Sequence, residues 1–323
     1  MTAVALLGAG FMARTHAAVL GERIRVVCAR SGADDLAASV GADVVRDWRE
    51  AVAAPGIDVV DVCLPTPLHR PAAVRALQLG RHVLVEKPIA LTLEDADAIA
   101  AAAPGRVLMV GHVLRFFPEI AELRRVVSSG ELGEPVAATA YRLSPPPDWN
   151  EWMLDASQSG GTLLDLTIHD LDIVAAVLGP CERVSAQITA GGRHVQVLAE
   201  HARGRAVIEG SHAMPASYPF TAGLRVVCSG GVIEHRFVAG AGDDVAGSGA
   251  VSELRIHPAD GPARRVALEP VDPWAVQIAH FLDCVEHGRE PTDGSFGQAR
   301  AALAVALAAR RSAERGAPQL SFG

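Results

Sequence analysis

The chain has 323 residues, about half hydrophobic and a fifth charged, a length and composition that suit two folded domains and exclude a disordered chain. A formal net charge of -8, from 29 Lys and Arg against 37 Asp and Glu, gives no electrostatic reason to expect nucleic acid or an anionic membrane as a partner. No run approaches the ~18 consecutive apolar residues of a membrane span, and the start, Met1-Thr2-Ala3-Val4, lacks the basic region of a secretory signal, so a cytoplasmic protein is expected.

The first third alternates short apolar runs with longer helical patterns. In order these are "AVALLG", a helix from about Met12 to Leu20, "RIRVVCA", "DDLAASVG" and "IDVVDVCL". A helix "LHRPAAVRALQLG" follows, then "RHVLVEK", a helix that Thr92 opens with Asp95 three positions on as a capping box, and "RVLMVGH". Continuous β-branched runs between helices predict a doubly wound parallel sheet of the Rossmann kind over residues 1–117. "GAGFMA" follows the first strand at once and opens a helix, the context in which such a glycine pattern binds a dinucleotide. Gly8 permits the tight turn, Gly10 lets backbone amides approach a pyrophosphate, Phe11 and Met12 begin the helix whose amino terminus faces the phosphates, and Ala13 allows close packing.

The second strand ends "VVCARSG", where dinucleotide sites that take NAD usually carry an acid. Arg30 and Ser31 stand there instead, and a guanidinium with a hydroxyl suits a 2′-phosphate, so NADP is favoured over NAD. A solvated surface arginine with NAD bound is the alternative. "CLPTPLH" places Leu64, Pro65, Thr66 and His69 beyond the carboxyl end of the next strand, where ligands of such sheets lie. "VEKP" adds Glu86 and Lys87 to the same rim. They read either as nicotinamide contacts or as an ion pair at the rim.

Beyond about Arg115 the rhythm changes. After an amphipathic helix ending near "SSGELG", the run "GGTLLDLTIHD" (Gly160 to Asp170) sets Asp165 four residues before His169, one face of a helix, as an acid/base dyad or a polar edge. Most of the remainder reads as strands: "VAATAYRL", "CERVSAQITA", "RHVQVLAEH", "GRAVIEGSHA", "FTAGLRVVCS", "GVIEHRFV", "VSELRIHP" and "ARRVALE". Two helical patterns, "DPWAVQIAHFLDCVEHG" and "GQARAALAVALAARRSAERG", close the chain. Residues 118–323 are therefore expected to form an α+β domain with a largely antiparallel open sheet. Asp170 and Asp172 suit caps, substrate hydroxyls or solvent rather than a metal, and no metal is expected. In "SPPPDWNEWM", Trp149, Asn150 and Trp152 suit a sugar pocket or an apolar plug. Tyr141 and His212 read as sheet residues, and the loop 240–250 as mobile. The five cysteines, Cys28, Cys63, Cys181, Cys228 and Cys284, lack a CxxC pair and read as small buried hydrophobes.

GAGFMA, PTPLH, VEKP, GHVLRFFP, SSGELG and GGTLLDLTIHDLD, in this order, together with the terminal "FLDCVEHGREPTDGSFGQARAAL", resemble the glucose-fructose oxidoreductase / inositol dehydrogenase / MocA family over nearly the whole chain. The resemblance implies an NAD(P)-dependent oxidoreductase acting on a secondary alcohol or ketone of a sugar, inositol or related cyclic polyol, assembled as a homodimer or homotetramer. It implies that Lys87, the lysine of the family's E-K-P motif, borders nicotinamide and substrate. It also implies that Asp165 and His169 match a D-x-x-x-H pair whose histidine handles the substrate hydroxyl proton. His112 and Arg115 would reach the substrate, although the family often has Asn where this chain has Phe117. Two other readings are a glycoside hydrolase that cycles a tightly held NAD, and a non-catalytic dinucleotide-binding regulator.

Overall fold

A computed structural model describes residues 1–147, 151–239 and 250–321. The described part of the loop 240–250 is Ala250 alone, and Trp149 and Asn150 lie outside the described residues. The chain forms two compact units, Met1–Phe116 with Val271–Arg300, and Phe117–Pro270 with Ala301–Gly323.

The first unit begins with β1 (Val4–Leu7), α1 (Phe11–Leu20), β2 (Ile24–Cys28), α2 (Ala33–Val40), β3 (Asp43–Val45), α3 (Trp48–Ala53), β4 (Val59–Val62), α4 (His69–Gln78), β5 (His82–Glu86), α5 (Leu93–Ala101) and β6 (Leu108–Gly111). All strands are parallel, in the order β3-β2-β1-β4-β5-β6. β1 and β4 are buried along their whole length, as strands covered on both faces must be, which is why they read as unbroken apolar runs. Thr92 caps α5 as expected, its side chain accepting from the Asp95 N–H at 3.1 Å. The three-residue edge strand β3 and the short α3 have no counterpart among the expected elements, being too brief to show a period.

The second unit carries α6 (Pro118–Ser128), β7 (Pro135–Leu143), α7 (Glu151–Leu154), α8 (Ala156–Ser159), a π-turn at Leu163–Thr167, α9 (Ile168–Leu178), β8 (Cys181–Thr189), β9 (His194–His201), β10 (Gly204–Ser211), β11 (Thr221–Cys228), β12 (Gly231–Val238), β13 (Val251–Pro258) and β14 (Arg264–Arg265). The chain then returns to the first unit with α10 (Pro273–His287), continues through α11 (Phe296–Arg315) and ends on β15 (Gln319–Leu320). Among the described residues the second sheet has nine strands in the order β14-β13-β12-β11-β7-β10-β9-β8-β15. Every pairing in it is antiparallel except β7 with β10. "ARRVALE" contributes only the two residues of β14.

Alternation along β9 and most of β10 turns one face of this sheet toward α6 and α9 and leaves the other open. On the open face Leu198 pairs with Val207, 60% and 48% exposed, above a groove that Thr139, Arg183, Ser185 and Arg205 also line. In the first unit, Ile278, Phe281 and Cys284 of α10 join a core with Leu6, Val27 and Leu84. Burial of a side chain such as Phe281 stabilises by roughly 1.5–3 kcal/mol. No helix among the described residues is long and apolar enough to cross a membrane.

Candidate active site

The turn after β1 is built for close approach. Gly8 has φ +121°, and a Cβ there would overlap the carbonyl oxygen of Cys63, so only glycine lets β1 and β4 end side by side at this point. A Cβ on Gly10 would meet nothing within 4 Å, and no side chain caps the amino terminus of α1. Its first amides are therefore left to bond an anion, and Phe11, 64% exposed, stands beside them with Met12 half-buried behind. The cradle fits the pyrophosphate of a dinucleotide.

At the end of β2, Arg30 and Ser31 are exposed. The nearest downstream acid, Asp34, is engaged: Arg46 donates to both its carboxylate oxygens at 2.7 Å and lowers its pKa. Arg46 also donates to Ala29 C=O at 3.1 Å, while Arg14 bonds Ala9 C=O and Gly32 C=O at 3.2 Å each. Two guanidiniums thus clasp the turn that presents Arg30. Neither was identified from the sequence, where both look like ordinary helix-surface or strand-end charges.

Leu64 and Pro65 are half-buried and Thr66 is buried at the end of β4. His69 lies beneath them, fully buried, its Nε2 2.7 Å from Leu64 C=O and its Nδ1 2.9 Å from Pro88 C=O. One ring therefore ties the loop after β4 to the loop that carries Lys87. Burial lowers its pKa although both carbonyls favour the charged ring. Lys87 itself is half-buried at the end of β5.

Glu86, one residue earlier, points into the sheet instead. Its carboxylate occupies the place of a side chain at Gly111, where a Cβ would come within 2.5 Å of Oε1. His16 of α1, fully buried, stands between two acids, its Nδ1 2.8 Å from Asp61 Oδ2 and its Nε2 3.4 Å from Glu86 Oε1. Cys63 Sγ joins at 3.5 Å from Asp61. The donor atoms of His16, Asp61 and Cys63 lie within 4.8 Å of one another, but the direct His16–Asp61 hydrogen bond fills the space an ion would need. Burial by itself lowers the His16 pKa, but the Asp61 charge and hydrogen bond and the Glu86 charge outweigh it and raise it to about 9.

A group raised in this way contributes stability that is present below its unfolded value and disappears as pH climbs through the folded one. Urea unfolding should therefore show stability falling between pH 6.5 and about 9, by an amount on the order of a few kcal/mol. Asp61→Asn, by removing the main source of the shift, should flatten that slope; an equal slope in the variant would contradict the assignment.

In the second unit the expected dyad sits where the helix is widened. Leu163–Thr167 winds as a π-turn, a form that recurs at functional sites, and Thr167 Oγ1 donates five residues back to Thr162 C=O at 3.0 Å. Asp165 and His169 are both half-buried, one inside this turn and one in the first turn of α9. Asp165 Oδ2 lies 3.4 Å from Nε2 of His212, which follows β10. From the sequence alone His212 reads as a sheet residue, its signal only a polar "SH" at the end of the strand "GRAVIEGSHA". Asp170 is neither a cap nor a solvated group. It is buried and accepts from Arg142 of β7 at 3.0 Å through both oxygens, burial raising its pKa against the pull of the guanidinium. Asp172 is buried beside it in the helix.

Of the softer candidates, His112 and Arg115 are buried in the first unit, with Arg115 Nη1 3.1 Å from Asp293. Trp152 is half-buried in α7. Cys28, Cys181, Cys228 and Cys284 are buried and all five cysteines are free; Cys63 is the half-buried one.

Comparison with known proteins agrees with this layout. The family model described as "Oxidoreductase family, NAD-binding Rossmann fold" matches residues 2–112, and that of the "GFO/IDH/MocA C-terminal domain" matches residues 120–234. Inositol 2-dehydrogenase of Rhizobium meliloti is 30% identical over 330 residues, covering 95% of both chains. 1,5-Anhydro-D-fructose reductase of Ensifer adhaerens is 37% identical over 153 residues, 46% of each chain. The chain spans about half the length of most such curated relatives it matches. The crystal structure of GenD2 from gentamicin A biosynthesis in complex with NAD superposes with a TM-score of 0.84 at 26% identity, over 100% of this chain and 97% of that one.

The chain belongs to the Gfo/Idh/MocA oxidoreductase family.

Proposed function

We propose that this family member is an NAD(P)-dependent oxidoreductase that moves a hydride between nicotinamide and a secondary alcohol or ketone of a sugar, inositol or related cyclic polyol. The observation that carries the reading is the rim of the parallel sheet, where an open glycine cradle after β1, the Leu64–Thr66 turn after β4 and Lys87 after β5 share one edge. Gly8, Gly10, Phe11, Met12, Leu64, Pro65 and Thr66 would hold the dinucleotide, with His69 bracing the turn from beneath; the dinucleotide supplies hydride acceptance or donation when bound. His169 would take the hydroxyl proton in oxidation or return it in reduction, Asp165 would orient it, and Lys87 would polarise the same oxygen. Arg115, Trp149 and Trp152 are the further substrate contacts in this reading.

NADP is the favoured cofactor. Arg30 is exposed at the end of β2, and the nearby Asp34 is held by Arg46 and so is poorly placed to receive a ribose hydroxyl. Arg30→Asp should shift the NADP/NAD preference toward NAD by about 10–100-fold, the worth of one or two charge-assisted hydrogen bonds. An unchanged ratio in steady-state assays with both cofactors would remove Arg30 from the site.

The protein is further proposed to be cytoplasmic and homo-oligomeric, without nucleic-acid or membrane partners, the exposed apolar pair Leu198 and Val207 supporting self-association through the open sheet face. A cofactor-resolved screen of polyols, ketoses and keto-sugars, read by the absorbance of reduced nicotinamide, tests the activity. Stoichiometric reduction or oxidation supports a dehydrogenase. Glycoside cleavage without net cofactor change would point to the hydrolase chemistry, and tight NADPH binding without turnover to a regulator.

A further inference from the structure

Asp165 has a histidine neighbour that the reading above does not use. His212 Nε2 stands 3.4 Å from Asp165 Oδ2, and its Nδ1 stands 2.9 Å from Ser144 Oγ, just beyond the end of β7. The backbone sets this line. The parallel pairing of β7 with β10 brings Leu143 beside Ser211, the Ser144 N–H donates to Ser211 C=O at 2.9 Å, and the His212 N–H donates to Arg193 C=O at 2.8 Å. Gly210 lets the π-turn close onto β10, since a Cβ there would overlap Thr167 Oγ1. The side chains of His212 and Asp165 are each only 12% exposed.

Hydrogen-bond arithmetic gives the line two filled states. Ser144 Oγ is 2.9 Å from both His212 Nδ1 and Pro145 C=O, but a hydroxyl has one proton to donate. If it donates to Nδ1, the ring proton sits on Nε2 and points at Asp165, with no extra proton needed. If it donates to Pro145, Nδ1–H must donate to Oγ, and Nε2 meets Oδ2 favourably only with a second proton between them. Rotation of one hydroxyl together with uptake of one proton therefore converts the first state into the second. Among the described residues, Arg142 is engaged with Asp170, His194 lies 3.7 Å from Glu209, Arg193 donates to Ala190 C=O, and His169 follows Asp165 by four residues. Asp165 is the carboxylate that meets the ring.

We propose that Ser144, His212 and Asp165 form the proton exit behind His169. The proposal rests on the reading of His169 as the acid/base group. In oxidation the substrate C–H bond breaks and its electron pair leaves as hydride to nicotinamide, while the O–H proton passes to His169 as the carbonyl forms. That proton would pass to Asp165 and on to Nε2 of a His212 ring that carries its own proton on Nδ1. The Nδ1 proton then passes to Ser144 Oγ as that hydroxyl gives its proton to water, which leaves the ring with its proton on Nε2. Reduction runs the same line inward, and no further reactant is required. His212 and Ser144 act through Asp165 rather than on the substrate.

The test is the pH dependence of kcat and kcat/KM for the full chain carrying Ser144→Ala, His212→Phe or His212→Gly, with His169→Ala alongside. Nitrogen-15 NMR of the imidazole signals supplies a readout independent of turnover. Expected are a fall in kcat of about 10²-fold for His212→Phe, the lower end of the range for proton-transfer catalysis, and a smaller one of about tenfold for Ser144→Ala, with KM little changed. The pH limb should move in both, added imidazole should restore part of the His212→Gly rate, and Ser144→Ala should change the His212 Nδ1 signal through the lost hydroxyl contact. Ser144→Ala removes a single hydroxyl and so carries the test should His212→Phe not fold. Unchanged kcat and pH profile in Ser144→Ala, and in His212→Phe where it folds, with His169→Ala inactive, overturns the exit alone. Near-normal turnover in His169→Ala overturns the acid/base reading and the exit with it.

Discussion

Lys87→Ala and His169→Ala should each lower turnover of the polyol or keto-sugar substrate by about 10²–10⁴-fold, the usual share of a positioned acid or base. The reason is coupling: a hydride leaves an alcohol carbon only as the hydroxyl proton departs, and an imidazole near neutrality accepts that proton readily. In the proposed reading Lys87 would contribute differently, by stabilising negative charge that develops on the substrate oxygen, an interaction stronger in the transition state than in the ground state. Both losses should therefore appear in kcat. Fluorescence titration with NADPH should meanwhile show cofactor affinity within about threefold of wild type, because the phosphate cradle after β1 is built from backbone amides and not from these side chains. Near-normal turnover in both variants would show the chemistry to lie elsewhere.

Arg142→Ala should lower stability by about 3–5 kcal/mol, the cost of leaving one member of a buried pair without its partner. Asp170 is 4% exposed and receives both guanidinium bonds from Arg142, so no solvent can take over the arginine's role without opening the packing of α9 on β7. Thermal unfolding should report a drop of about 10 °C for a unit of this size. Replacing both groups by apolar residues of similar volume should recover much of the loss, because a buried pair and a packed hydrophobic contact differ little in net stability. A single-variant loss below about 1 kcal/mol would mean that Asp170 finds another partner or a proton.

The parts of the molecule that the sequence made legible are those whose cause is local. The glycine turn after β1, the Thr92 cap and the strands β9 and β10 each depend on residues close together in the chain, and each is present. What escaped depends on partners far away in sequence. Pro273–His287 reads as one more amphipathic helix, and nothing in its own pattern says that Phe281 joins the core beneath α1. The single parallel pairing of β7 with β10 is likewise invisible to a period of two, yet it brings Ser144 and His212 together. His16 looked like an ordinary helix residue because the acids that surround it, Asp61 and Glu86, come from β4 and β5. Asp165 and His169 were legible as neighbours in one helical stretch, whereas the π-turn that carries Asp165 was not, since the extra room it needs comes from glycine at position 210 on a neighbouring strand.

Lys87 and the Asp165–His169 pair are proposed to act on one substrate oxygen, and a crystal structure of the ternary complex with NADP and a bound polyol tests this most directly. The account predicts Lys87 Nζ and a ring nitrogen of His169 both within about 2.6–3.2 Å of the same hydroxyl oxygen. A complex in which that oxygen touches neither, or in which the two side chains face separate cavities, would contradict it.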